Sequence, residues 1–541
     1  MREGLMMDDY PLSLTAIVER AERFGGQREI VFRRPDGSVG RLTIAACAQR
    51  ARQLGTALAG LGIAAGDTVA TLLWNQPEHV ELYYALPSMG AVIHTLNPRL
   101  APEELRFIVD DAQDRAIVVD ETLLEVLEPL RDAASLEHVI VVRRDEPLPA
   151  GALDYEALVC AAEPMSWPPA DERAAASMCY TSGTTGRPKG VVYSHRSLVL
   201  HSLVAALPDV KDVRGADTVL PVVPMFHANA WGLIYTTAMV GAGLVLPGPR
   251  LDAVSVLDLL AAERVTITAG VPTVWMAVLQ ALDAEPDRWD LSALKLLIVG
   301  GSAVPESMLA GFDRHGLTIV QAWGMTETSP LGSVCRLPAA LEAADDSQKL
   351  AYRGRQGTPS PFVEIRARAE GGELIAWDDQ EMGELEVRGP WVAGAYHRGR
   401  GADRFTDDGW FATGDVVRID SGGNLRICDR SKDLVKSGGE WISSVDLENL
   451  LMAHGSIAEA AVIAIPDERW GERPLAVIVL REGAEAQEDE LRAHLATTFA
   501  KWQLPDRFEF VDQIPRTATG KFKKTALREI FVGDASAVSS R

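Results

Sequence analysis

The sequence predicts an α/β protein in two parts: a large N-terminal domain of layered sheets and helices, then a small α+β C-terminal domain. Length is one reason, since 541 residues are too many for a single hydrophobic core. Periodicity is another. Apolar β-like runs alternate with amphipathic stretches through most of the chain, the pattern of helices packed on largely parallel sheets. The third reason is a change of character after "GELEVRGPWVAGAYH" (383–397). Charged, glycine-bearing text there leads into a compact module of about a hundred residues, an ordinary domain size. The predicted divisions are an N-terminal domain at 1–429, a hinge linker at 430–435 and a C-terminal domain at 436–541.

In chain order, "TIAACAQRARQLGTALAGLG" (43–62) reads as a helix, with apolar residues three and four apart. "DTVATLLWN" (67–75), "RAIVVD" (115–120), "HVIVVRR" (138–144), "VTITAG" (265–270) and "LKLLIVGG" (294–301) read as buried strands. Residues 218–249 contain no Asp, Glu, Lys or Arg. Pro221, Pro224, His227, Asn229, Gly241, Gly243 and Pro247 interrupt that run, so a buried strand, helix and strand are expected rather than a membrane span. In the closing module "SSVDLENLLMAH" is helical, with Ser443 placed to cap through Asp446. "EAAVIAIPD" and "PLAVIVLRE" are strand-like, "DELRAHLATTFA" is helical, and "DRFEFVD" is a last strand.

Lys+Arg 53 against Asp+Glu 76 gives a net charge of −23, which repels nucleic acid on average while leaving room for a local basic pocket. The start "MREGLMMDDYPLSL" has no apolar core segment of a secretory signal. Five scattered cysteines without a C-x-x-C pair fit a reducing compartment and no structural zinc. A cytoplasmic protein without a transmembrane segment is expected.

"TSGTTGRPKG" (181–190) lies between two strand-like runs. Its glycines let backbone N–H groups approach an anion, and its hydroxyls and Lys189 add donors. It is not a Walker loop: Lys189 follows Pro188 and precedes Gly190. By composition alone such a stretch is more often a linker, but four further segments follow in order. "IVGGSAVP" ends a strand in a Gly-Gly turn that can lie flat against a base or ribose. "QAWGMTET" offers Trp323 as a stacking surface and Glu327 for a metal. "GWFATGD" ends in Asp415, an acceptor for ribose hydroxyls. "PRTATGKFKK" carries Lys521 on a tail loop.

Taken jointly, these motifs resemble the adenylate-forming superfamily of acyl-CoA synthetases, luciferases and nonribosomal adenylation domains, over nearly the whole chain. "PMFHANAWG" (224–232) and "KSGGEWISSVDLENLL" (436–451) are similar, more narrowly, to bacterial medium- and long-chain fatty-acid–CoA ligases. The resemblance implies the adenylate-forming fold, with a mobile C-terminal domain that swings about the linker. It implies ATP, Mg²⁺ and coenzyme A: a carboxylate attacks the α-phosphate to give acyl-adenylate and pyrophosphate, then the CoA thiol displaces AMP.

Residue by residue, the resemblance assigns Thr181, Ser182, Gly183, Thr184, Thr185, Gly186 and Lys189 to the departing phosphates, and Thr181 and Glu327 to Mg²⁺. Gly300, Gly301, Ser302, Gln321, Ala322, Trp323, Gly324, Met325 and Thr326 should line the adenine and α-phosphate site. Asp415 and Arg430 match ribose contacts, and Lys521 the lysine bridging carboxylate and α-phosphate. Lys432, Lys436 and Trp441 match nucleotide or closed-state contacts around the linker, a reading favoured over the alternative that the two lysines form a solvated hinge face.

His227 and Trp231 are four apart and share a face if their segment is helical. Buried aromatics are usually core, but in the resembling ligases the tryptophan gates the acyl tunnel and the histidine lies beside the acyl-adenylate. Amino-acid-activating relatives carry an aspartate where this chain has His227, so an apolar acid is favoured over an ammonium-bearing one. The expected reaction is activation of a medium- to long-chain fatty acid. A short acid such as 3-methylmercaptopropionate, or transfer to a carrier protein in trans, is the alternative. A silent nucleotide-binding protein would need neither Lys521 nor Glu327. Relatives of this kind also imply a homodimer.

Overall fold

The computed structural model describes residues 7, 10–181, 187–302, 304–438, 440–516 and 522–532. It is the expected α/β architecture, with layered sheets and helices in a large N-terminal region and a smaller α+β C-terminal region. Two large sheets dominate. One has nine strands, and its run from Ile319–Trp323 through Leu296–Gly300, Ile267–Gly270, Thr218–Pro221 and Gly243–Leu246 to Glu29–Arg33 is parallel. The other has seven strands, parallel from Leu153–Asp154 to Ala175–Tyr180 and closed by antiparallel Gly190–Ser194. The predicted strands all form, and those at the centre of the two large sheets are buried on both faces, which is why they read as continuous apolar runs.

The helix Ile44–Gly60 starts where Thr43 accepts a hydrogen bond from Ala46 N and buries Cys47, Ala51, Leu54 and Leu58 along one stripe. Against it packs Pro77–Ser88, a helix buried nearly all round. That helix reads as hydrophobic on every side, and Glu81 within it is matched by Arg50 at 2.7 Å and Tyr155 Oη at 2.7 Å. One continuous core joins both large sheets, including Tyr83, Val204, Tyr235 and Trp323.

A four-stranded antiparallel sheet, Glu364–Arg368 to Leu425–Arg430, follows. The chain then crosses 431–434 into a five-stranded sheet with its own cores around Val435, Leu447 and Ile478, and around Ile463 and Leu475. Ser443 accepts from Asp446 N to cap Ser444–Met452, as its spacing predicts. The helix expected across "DELRAHLATTFA" stops at Leu495. Thr497 turns its hydroxyl back to His494 O at 2.7 Å, the local competition that disfavours hydroxyl residues inside helices.

Candidate functional site

A cleft of about 1160 Å³ opens at the carboxyl ends of the parallel strands, where α/β sheets bind ligands. Thr181, Lys189, Gly300, Glu327 and Asp415 line it from the large region, and Glu448, Arg516, Phe522 and Lys524 from the small one. Ser182, Gly183, Thr184, Thr185, Gly186 and Lys521 lie outside the described residues.

The glycine-rich loop is the connection of a β-hairpin, with Tyr180 opposite Gly190. Its neck is pinned: Thr181 N donates to Lys189 O at 3.0 Å, and Lys189 N to Thr181 Oγ1 at 3.3 Å. The Lys189 ammonium sits 5.1 Å from the centroid of the Tyr396 ring, a cation–π contact. Tyr396 also donates its hydroxyl to Glu327 Oε1. Burial pushes the Tyr396 phenol up, and the Glu327 charge adds to it, so Tyr396 stays a donor. Glu327 is 5% exposed and forms no ion pair with a described residue. A buried carboxylate in the same cleft as the Thr181 hydroxyl suits a hard cation that takes its other ligands from phosphate. Among the described residues, no cluster of three or more His, Cys, Asp or Glu side chains could hold a metal unaided.

Asp415 is held from two sides. Arg430 Nε is 2.8 Å from Oδ1, and Trp323 Nε1 donates to Oδ2 at 2.8 Å. Each carboxylate oxygen keeps a lone pair for a ribose hydroxyl. Trp323, expected as a stacking surface, lines the cleft although it is mostly buried, and a Cβ on Gly332 would come within 2.4 Å of its ring. Its indole is used to orient Asp415. Gln321 likewise turns inward, donating to Arg353 O at 2.8 Å, and contributes only lining. Gly301, Ser302, Ala322, Gly324, Met325 and Thr326 all border the cleft. Gly301 has φ +90, and a Cβ on Gly300 would meet Ala322 O at 2.7 Å and the Trp231 ring at 3.4 Å. The turn therefore lies directly on the Trp231 indole.

His227 and Trp231 both line the cleft, but the expected right-handed helical face between them is absent. Ala228, Asn229, Ala230 and Trp231 have φ of 42, 56, 50 and 55, a left-handed turn that costs roughly 1–2 kcal/mol for each residue with a Cβ. Surrounding contacts hold it. Asn229 Oδ1 accepts from Ser177 Oγ at 3.0 Å and lies 3.2 Å from Tyr83 Oη, Met225 N donates to Asn75 Oδ1 at 2.7 Å, and the Lys211 ammonium donates to Trp231 O. Sequence pattern alone could not choose the handedness.

Arg430 and Lys432 border the cleft, and burial lowers the Lys432 ammonium below its ordinary value. Lys436 and Trp441 do not reach it. Lys436 Nζ is 2.6 Å from Glu370 Oε1, and Trp441 Nε1 donates to Glu370 Oε2 at 3.1 Å, beside a separate small cavity. Their assignment to the nucleotide is thus corrected for this conformation: a carboxylate of the large region claims both. Sequence reading missed Tyr396 and Lys211. Tyr396 stands in the quoted "GAYH" with no local signal, and Lys211 lies just before the charge-free run.

Comparison with known proteins gives a consistent set of likenesses. A family model described as AMP-binding enzyme matches residues 17–397, and one described as AMP-binding enzyme C-terminal domain matches 446–521. Over 530 residues the chain is 49% identical to a long-chain-fatty-acid–CoA ligase of Thermus thermophilus, covering 97% of this chain and 96% of that one. It is 44% identical over 528 residues to a 3-methylmercaptopropionyl-CoA ligase of Ruegeria pomeroyi, covering 96% and 97%. The crystal structure of an anthranilate CoA ligase with anthranoyl-AMP matches with a TM-score of 0.86 at 27% identity, over 98% of this chain and 100% of that one.

Proposed function

The chain belongs to the AMP-binding enzyme family, and from that membership we propose that it is an AMP-forming fatty-acid–CoA ligase. Its substrate is a medium- to long-chain carboxylic acid, activated through an acyl-adenylate. The observation that carries this is the convergence on one cleft of the pinned loop neck, the buried Glu327 held by Tyr396, the doubly held Asp415 and the His227–Trp231 stretch. The 49% identity to a fatty-acid ligase supports the acid class.

In the first half-reaction a carboxylate oxygen bonds to the α-phosphorus of ATP as the bond to the bridging oxygen breaks, and pyrophosphate leaves. Lys189 and the Thr181 hydroxyl hold the departing phosphates, while Asp415 and Arg430 fix the ribose. Glu327 and Thr181 would hold Mg²⁺, which when bound neutralises phosphate charge. Tyr396 keeps the Glu327 carboxylate in place. Lys521 supplies positive charge where carboxylate and α-phosphate meet. In the second half-reaction the thiol sulfur of CoA bonds to the acyl carbon and AMP leaves. Residues 430–435 act as the hinge between the two steps, with 1–429 and 436–541 as the moving bodies.

A second reading, ligation of 3-methylmercaptopropionate, rests on the 44% identical relative of that activity. A panel of acids from propionate and 3-methylmercaptopropionate to palmitate, assayed for ATP- and CoA-dependent AMP release, decides between them. AMP release with none of them would overturn the ligase reading. Among the described residues no helix is long and apolar enough to cross a membrane. We place the enzyme in the cytoplasm as a homodimer; sedimentation of the purified protein tests the dimer.

A further inference from the structure

Lys211 is a buried lysine with no carboxylate partner among the described residues. It is 3% exposed, its amine makes no ion pair with a described residue, and it donates to the carbonyl of Trp231. Keeping a charge out of water with so few partners is costly, so its position calls for a reason beyond packing. Its backbone is fixed: Lys211 N donates to Ala205 O at 3.1 Å, and Arg336 Nη2 donates to the preceding Val210 O at 2.9 Å. The amine therefore reaches from a rigid base to the end of the left-handed turn. On the other side His201 stands where a Cβ on Gly232 would be, 2.2 Å from its Cε1. Trp231 is thus bracketed by Lys211 on its carbonyl and by the Gly300–Gly301 turn on its ring.

Trp231 closes the left-handed turn at φ 55, so its carbonyl and its indole hang from the same backbone residue and move together. A donor that holds the carbonyl consequently chooses where the indole lies. We infer that Lys211 is a specificity-determining positioning residue: through Trp231 O it keeps the turn wound and the indole against Gly300–Gly301, and so sets the depth open to the acyl chain. This rests on the acid site proposed above. Burial lowers the Lys211 amine to about 7, and in either protonation state its N–H groups can donate to Trp231 O at the end of a side chain long enough to reach it from the fixed backbone.

Two measurements on the full chain test it. In protein labelled with 5-fluorotryptophan, the fluorine resonance of Trp231 is assigned by its loss in Trp231→Phe. In Lys211→Met, which keeps length and removes the donors, that resonance should shift or split while the others stay. Lys211→Arg should return it. In acid-dependent pyrophosphate exchange, Lys211→Met should change the ratio of KM for octanoate to KM for palmitate by about tenfold, the scale of pocket selectivity, with KM for ATP unchanged. Lys211→Arg should restore the ratio. A Trp231 resonance unmoved in Lys211→Met, or a moved resonance with an unaltered acid ratio, overturns the inference. If Lys211→Met does not fold, Lys211→Gln takes its place under the same criteria, and failure of both to fold while Lys211→Arg folds with a changed acid ratio also overturns it. Wild-type protein inactive on every acid would instead overturn the ligase reading, while the resonance still reports the coupling of Lys211 to Trp231.

Discussion

Two residues concentrate the chemistry, and each can be tested singly. Glu327 is a buried carboxylate with one oxygen taken by Tyr396. Replacing it with Gln keeps an acceptor for Tyr396 and removes the charge. Acid-dependent pyrophosphate exchange should then fall by about 10²–10³-fold, the size expected for lost electrostatic stabilisation, with the melting temperature little changed. Asp415 differs because both its oxygens are committed to neighbours. In Asp415→Asn one face of the amide opposes a donor, either Arg430 or Trp323. KM for ATP should rise by about tenfold or more, since a charge-assisted bond is worth roughly 1.5–3 kcal/mol. An unchanged KM would remove Asp415 from the ribose site.

At the scale of elements, the tail helix Lys524–Phe531 is fastened by its first residue. Lys524 Nζ lies 2.7 Å from Glu448 Oε1, on the capped helix Ser444–Met452, and also donates to Ser444 Oγ. Against the pull of desolvation, the carboxylates of Glu448 and Asp429 hold Lys524 charged and push its pKa up. Asp429 belongs to the last strand before the linker, and it accepts from Ser444 N at 3.1 Å. One buried charge cluster thus joins the tail, the capped helix and the strand leading to the hinge. Lys524→Met leaves Glu448 buried without its cation. Stability of the C-terminal region should drop by roughly 3–5 kcal/mol, read as lost amide-exchange protection in the strands Ile457–Asp467 and Gly471–Leu480.

The whole molecule carries a pH signature of its own. His79 and His195 are buried, and desolvation lowers both to about 4. His195 Nδ1 accepts from Leu14 N at 3.2 Å, a bond that requires the neutral ring. Unfolded histidine titrates near ~6.5, so between that value and 4 the unfolded chain binds protons the folded one refuses. Stability present above pH 6.5 is therefore lost as pH falls. Each of the two should account for about 2 kcal/mol by pH 5. His195→Gln should flatten the decline of melting temperature between pH 7 and pH 5, and an unaltered slope would assign the acid sensitivity elsewhere.

The sequence by itself determined the fold class, most strands and caps, and the set of motifs, because these are local: a period, a cap or a glycine spacing is written within a few residues. Its motifs also named Asp415 and Arg430 as ribose contacts, and the structure sets the two opposite each other on neighbouring strands of one meander. What the sequence could not carry were contacts between distant segments. Tyr396 and Glu327 are 69 residues apart, and Trp323 and Asp415 are 92; no local pattern reports either pairing. Lys436 and Trp441 are engaged instead by Glu370, in a turn 66 and 71 residues earlier in the chain. The handedness of the turn at Trp231 is the clearest case. A run of Ala, Asn, Ala and Trp would wind right-handed on its own, and only neighbours fixed by the tertiary fold, Lys211 among them, supply the energy that reverses it.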